Sequence, residues 1–331
     1  MQKNPVLKRE VRANMRSPKL ILSIIGFNLV LALSGFVFLA FFEEAQPLER
    51  LFLELFFQED AASSMSDNEL AYNSIRLLYC LLIMLEFVLL FFIIPTLTGS
   101  MIAGEREHQT LDLMLTTQLT PKTIVFGKLL AMMKTILMIL ISTLPILSLV
   151  NVFGSFSAFD MIASFGVMLV VSFFLGSIGL LFSAWIKRSV PATLCTYIVL
   201  LGLCILPLML VRLTPELIGS SGGRPATFAY TLAMLMNPLL TVVCLLKMRF
   251  GAEASFISYL ESTTHLAADS PIARHWLIMS LLFQVTIAYL LVLLSSKYLQ
   301  PRYRRREMNG AIKERMSSEA ETATEDEKES K

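Results

Sequence analysis

The sequence predicts an all-α fold: a polytopic membrane protein with six transmembrane helices and an outer re-entrant helical pair between spans five and six. Three observations predict it. Of 331 residues, 55% are hydrophobic and only 16% are charged, a balance few soluble domains reach. The apolar residues fall in runs of about twenty or more, the length that crosses a hydrocarbon core of roughly 30 Å. The charges between the runs change sign from one connection to the next, as the positive-inside bias requires. The formal net charge of +2 gives no reason to expect a nucleic-acid partner.

Residues 1–18 carry Lys3, Lys8, Arg9, Arg12 and Arg16, with Val6, Leu7, Val11 and Met15 on a rough helical stripe. This pattern predicts an amphipathic elbow helix on the cytoplasmic membrane surface, or else a simple positive anchor. The transmembrane domain is predicted over 19–298. Span one covers about 20–42, with no small-residue cleavage site after it, and is expected to be retained. From Glu43 to Arg76, eight acidic residues face two basic ones, which places this segment outside and the N-terminus inside. Within it Leu48, Leu51, Phe52, Leu55 and Phe56 keep helical spacing, as expected of a helix on the outer surface or a cap over a pathway.

Span two covers about 77–101 and contains Glu86. At 1.5 Å per residue Glu86 lies about 14 Å from the outer end, close to the bilayer centre. A carboxyl there faces protein or a water-filled cavity. It is either a pathway residue or an acid bonded to a neighbouring helix. Spans three, four and five cover about 125–150, 161–186 and 190–211. Lys187 and Arg188 mark the inside after span four, and Gly176, Ser177 and Gly179 allow close helix contact within it. Residues 226–246 are long enough to cross, but a seventh span would put Arg302, Arg304, Arg305 and Arg306 outside. Asn237-Pro238 also breaks the run in its middle. A re-entrant outer pair fits both facts better. Span six covers about 275–296. Residues 299–331 are basic, then acidic, and are expected to be a disordered cytoplasmic tail whose basic part suits anionic lipid.

Between spans two and three lies the chain's most informative polar stretch. Gly104 to Thr116 can form a helix of about three turns, with Leu111, Met114 and Leu115 on one face. Glu105, Arg106, Glu107, His108 and Asp112 stay polar, and Thr120 can cap the next helix with Pro121 at its first position. Spacing alone leaves two readings: a docking element, or a polar loop shielding its apolar side on the membrane.

Chemistry of other kinds is missing. There is no G-x-x-x-x-G-K-[ST], so no ATP site of that type, and no H-E-x-x-H or C-x-x-C. The four cysteines lie in or beside apolar runs and suit packing. No metal site and no catalytic residue are expected. Glu43-Glu44 followed by Arg50 has the wrong spacing and position for an intramembrane protease.

The stretch GEREHQTLDLMLTTQLTPKTIVFGK resembles the first cytoplasmic loop of type-two ABC exporter permeases. Glu105, Glu107, Thr110, Leu111, Leu113, Pro121, Gly127 and Lys128 match that loop position by position. Gln109 stands where the family often has Gly, a change expected to favour helix. The segment GSIGLLFSAWIKRS also resembles the family's fourth span, and MNPL its Asn-Pro break. The resemblance implies a multi-pass cell-membrane subunit with both termini cytoplasmic, which exports a substrate but is no enzyme itself. ATP and Mg would be bound by a partner ABC ATPase subunit, and a second permease subunit, identical or not, would complete the pathway among membrane lipids. Helix 104–116 would be the coupling helix, with Glu105, Arg106, Glu107 and Thr110 as polar contacts and Leu111 and Met114 as apolar anchors. The alternatives are a proton-coupled secondary transporter using Glu86, or a non-transporting membrane scaffold.

Overall fold

The computed structural model describes residues 18–40, 67–110, 120–154, 157–218, 231–249, 256–257, 260 and 271–299. The elbow, the outer amphipathic segment 48–56, the second half of the coupling helix and the tail lie outside the described residues. The described chain is helical, with no strand among the described residues. Its long helices are α1 (Pro18–Ala40), α2 (Asp67–Gly99), α4 (Pro121–Gly154), α5 (Ala158–Trp185), α6 (Ser189–Ile218) and α10 (Trp276–Tyr298). These six are long and apolar enough to cross a membrane. The short helices are α3 (Ala103–Glu107), α7 (231–236), α8 (Pro238–Arg249) and α9 (Pro271–Arg274).

Helix α5 is the centre of the bundle: α2, α4, α6, α8 and α10 all pack against it. It starts in a capping box. Ser157 Oγ accepts from the Phe159 N–H at 3.2 Å, and Asp160 accepts from the Ser157 N–H at 3.0 Å, so two orphan donors are satisfied reciprocally. Val171, Phe174, Leu175 and Ile178 bury its sides. Where α2 crosses α5 and α6, glycine is required. A Cβ on Gly179 would fall 1.9 Å from Thr98 Oγ1, and one on Gly99 would fall 2.7 Å from the Thr193 Cα. Close approach of this kind is how helices associate where lipid offers no hydrophobic drive.

The outer helices turn the usual pattern inside out. On α10, Trp276, Ser280, Gln284, Ala288, Val292 and Ser296 are buried at four-residue spacing, while Ile278, Leu282 and Leu290 are exposed. On α6, Ala192, Thr196, Leu200 and Cys204 are buried, while Val190, Leu194 and Ile198 are exposed. Most of the small and polar residues of these two helices face other helices, and many of their large apolar ones face outward, as expected in a solvent of lipid tails. Helix α1 is the most peripheral. It buries Phe27 and Leu31 and is tied to α4 by the Asn28 amide donating to Ser142 Oγ at 2.7 Å.

The run predicted over 226–246 is broken at Asn237, between α7 and α8. The Asn237 side chain caps α8 by accepting from the Leu239 and Leu240 N–H groups, and its amide donates to the Cys204 carbonyl halfway along α6 at 3.0 Å. The far end of α8 reaches the first turn of α5, where Arg249 pairs with Asp160 at 2.8 Å and lies over the Phe159 ring. Helix α8 therefore runs from the middle of the bundle to its Asp160 end. Gln284 of α10 closes on this pair, donating to Thr241 Oγ1 at 2.7 Å.

Candidate functional site: the joint beyond the end of α2

At the other end of the bundle α2 stops at Gly99, and α3 begins at Ala103. The sequence predicts one helix over 104–116. The structure instead shows a five-residue helix followed by a turn at His108 and Gln109. Gln109 has φ 57°, a left-handed conformation that is uncommon for a residue with a Cβ. The His108 N–H bonds the Gly104 carbonyl, and the Gln109 N–H bonds the Arg106 carbonyl. A left-handed residue just past a helix end is a common stop, usually filled by Gly. The expectation that Gln109 favours continued helix is therefore corrected here: tertiary ties on α3 fix its end and override side-chain propensity. The chain resumes helix at Thr110.

Those ties come from three consecutive charged residues. Successive side chains on a helix point about 100° apart, so the three fan out to three helices. Glu105 pairs with Lys128 of α4 at 2.9 Å. Arg106 donates to the Ala184 carbonyl at the end of α5, at 3.2 Å, where helix carbonyls lack partners. Glu107 accepts from the N–H of Ser189 at 3.1 Å and from its hydroxyl, seating a carboxylate on the positive end of α6. The Ser189 hydroxyl, then its N–H, hold the Glu107 carboxyl below the ordinary carboxylate range. Glu107 is exposed, so this tie is partly screened by solvent.

The site residues predicted from the sequence are thus partly gathered. Glu105 and Arg106 are half-buried and turned into the chain's own helices, while Glu107 and Thr110 are exposed. Thr110 Oγ1 donates back to the Glu105 carbonyl at 3.2 Å. Leu111 and Met114 lie outside the described residues. Sequence reasoning missed Lys128, Ser183 and Ser189 as partners. A signal for Lys128 was present: it lies seven residues past the Pro121 that opens α4, deep enough to need a carboxylate.

Glu86 lies far from this joint, 2% exposed between α2 and α4, and accepts from Thr143 Oγ1 at 2.7 Å. Tyr79, two turns earlier on α2, bonds Ser164 of α5 at 2.9 Å. Glu86 is sealed inside the helix packing. Among the described residues no group of three or more His, Cys, Asp or Glu could hold a metal.

Six apolar helices, a charged joint that gathers four of them at one end, and a broken helix pair between the last two now stand together. Residues 4–294 match the family model described as ABC-2 family transporter protein. The chain belongs to the ABC-2 transporter family. No curated protein matches its sequence. Membership makes it a multi-pass membrane transport subunit, and the family implies partnership with an ABC ATPase. The joint of this ABC-2 permease lies in the connection between its second and third spans.

Proposed function

We propose that this chain is the permease subunit of an ATP-driven exporter, with ATP hydrolysed by a separate ATPase chain that docks on residues 104–116. The observation that carries the reading is the fan of Glu105, Arg106 and Glu107. The segment entering the loop is held to α4, α5 and α6 at once, so a load on the loop reaches three spans. On this reading the three charged residues transmit the load, and Thr110, Leu111 and Met114 meet the ATPase. This changes the division of labour that the family resemblance implies, in which all six make contact.

The basic residues at 187–188 support a cytoplasmic side for the joint, the N-terminus and the C-terminus. The α7–α8 pair, turned at Asn237 halfway along α6, is then a re-entrant element on the outer side. A second permease subunit and lipid cover the exposed apolar faces of α1, α6 and α10. A pathway with few fixed charges suits amphiphilic substrates. Glu86, sealed between α2 and α4, serves helix packing on this reading and does not line the pathway.

The test is purification of the tagged chain from its native host in mild detergent. A stoichiometric chain with a phosphate-binding loop is expected to co-purify. It should be lost in the Leu111→Asp/Met114→Asp variant, which still accumulates in the membrane. A parent chain that purifies without an ATPase overturns the reading.

A further inference from the structure

The break between α2 and α3 is buried at Ile102 and Ala103, and it is held from two other helices. Regular helix stops at Gly99 and resumes at Ala103, and the Gly104 N–H bonds the Ser100 carbonyl across the gap at 2.8 Å. The break still leaves the Met101 carbonyl on one side and the Ile102 and Ala103 N–H groups on the other to be satisfied by side chains, which an apolar bundle tolerates only if protein supplies them. Ser183 of α5 supplies one side, its Oγ accepting from the Ile102 N–H at 2.8 Å and the Ala103 N–H at 3.0 Å. Lys128 of α4 supplies the other, its Nζ donating to the Met101 carbonyl at 3.0 Å. Ile102, Ala103 and Ser183 are 0% exposed and Lys128 is 2% exposed.

The same ammonium also meets Glu105 Oε1 at 2.9 Å. One buried cation therefore grips both sides of the break: a backbone carbonyl leaving α2 and a carboxylate on α3. None of Ser100, Met101 and Ile102 is a helix breaker, so these tertiary bonds define the joint. A buried cation in this position is costly unless paired, and neither partner lies on Lys128's own helix. Its bonds fix the position of α4 relative to α3.

We propose that Lys128 is a positioning residue of the transport cycle: it ties α4 to the joint, so that a displacement of α3 carries α4 with it. The inference rests on the reading of the loop after α3 as the ATPase contact. Ser183 ties α5 to the same break through backbone groups, and Glu107 ties α6 through Ser189, so only the α4 connection depends on Lys128.

The experiment uses the complete permease–ATPase complex, with spin labels at Phe126→Cys on α4 and Val190→Cys on α6 in a background without the native cysteines. Both positions are exposed, at 43% and 68%. ATP binding is expected to shift the label-to-label distance in the parent. In Lys128→Met the shift should be lost while the ATPase stays bound and hydrolyses ATP, and Lys128→Arg, which can still reach both acceptors, should restore it. Should Lys128→Met fail to accumulate, Glu105→Leu/Lys128→Met removes both charges together, a change buried ion pairs commonly survive. It should show the same loss. A full shift in either uncharged variant overturns the proposal, as does a folded Lys128→Arg without rescue. A parent complex that holds its ATPase but shows no shift overturns it too. A parent without any ATPase overturns instead the reading of the loop.

Discussion

At Gln109 a side chain sits in a backbone conformation that suits glycine better. The left-handed region costs an L-residue roughly 1–2 kcal/mol, and Gly escapes that cost while giving up chain entropy in the unfolded state. Gln109→Gly is therefore expected to stabilise the permease by about 1 kcal/mol and to raise its melting temperature in detergent by about 2 °C. An unchanged or lower melting temperature would show that the turn at 108–109 is not held as described. Glu86 makes the opposite point, because its partner matters more than its charge. Thr143→Val removes the hydroxyl that donates to Glu86, leaving a buried acceptor unsatisfied at a cost of about 1–3 kcal/mol. Replacing both partners, as Glu86→Leu/Thr143→Val, should destabilise less than Thr143→Val alone. Thermal unfolding of the two variants decides it, and equal or additive losses would argue that Glu86 does more than bind Thr143.

Two helix crossings differ in a way that side-chain trimming can expose. At Gly179 an added Cβ would meet only side-chain atoms, the Thr98 hydroxyl first at 1.9 Å, whereas at Gly99 it would meet the Thr193 Cα at 2.7 Å behind the Thr193 hydroxyl at 2.5 Å. A side chain can be shortened and a backbone cannot. Gly179→Ala and Gly99→Ala should each lower stability by about 1–3 kcal/mol. Thr98→Ala should recover part of the first loss, while Thr193→Ala should recover little of the second. The comparison needs only the melting temperatures of four variants, and rescue at both crossings would mean that helix spacing is not backbone-limited at Gly99. Small residues at these crossings were legible in the sequence, because Gly176, Ser177 and Gly179 cluster within one apolar run. The break at Asn237 was legible too, since an Asn-Pro pair halfway along an apolar segment has few other uses. The end of α3 was not. Local spacing favoured a longer helix, and what stops it is a set of bonds to Lys128, Ala184 and Ser189. The first lies about twenty residues away along the chain and the other two about eighty.

Across the whole molecule the apolar runs were readable because lipid imposes length and backbone satisfaction together. The joint was only half readable: its charged residues stood out, but their partners lie on other spans, and spacing cannot say which way a side chain turns. Topology is where the two kinds of information meet. If 226–246 crossed the membrane, the C-terminus would lie opposite the loop that carries Lys187. In the structure α8 runs from the middle of α6 back to the Asp160 end of α5, and on the re-entrant reading the pair enters and leaves on one side. The next helix, α10, then returns the chain to the end that carries α3. A single cysteine at Lys187 and a tag after residue 331 are therefore expected to become accessible together, only when the membrane is permeabilised. A cysteine at Ser157, at the opposite end of α5, should react with a membrane-impermeant thiol reagent on intact cells. A C-terminal tag exposed on intact cells while the Lys187 position stays protected would restore the seven-span topology and would remove α7–α8 from the outer side.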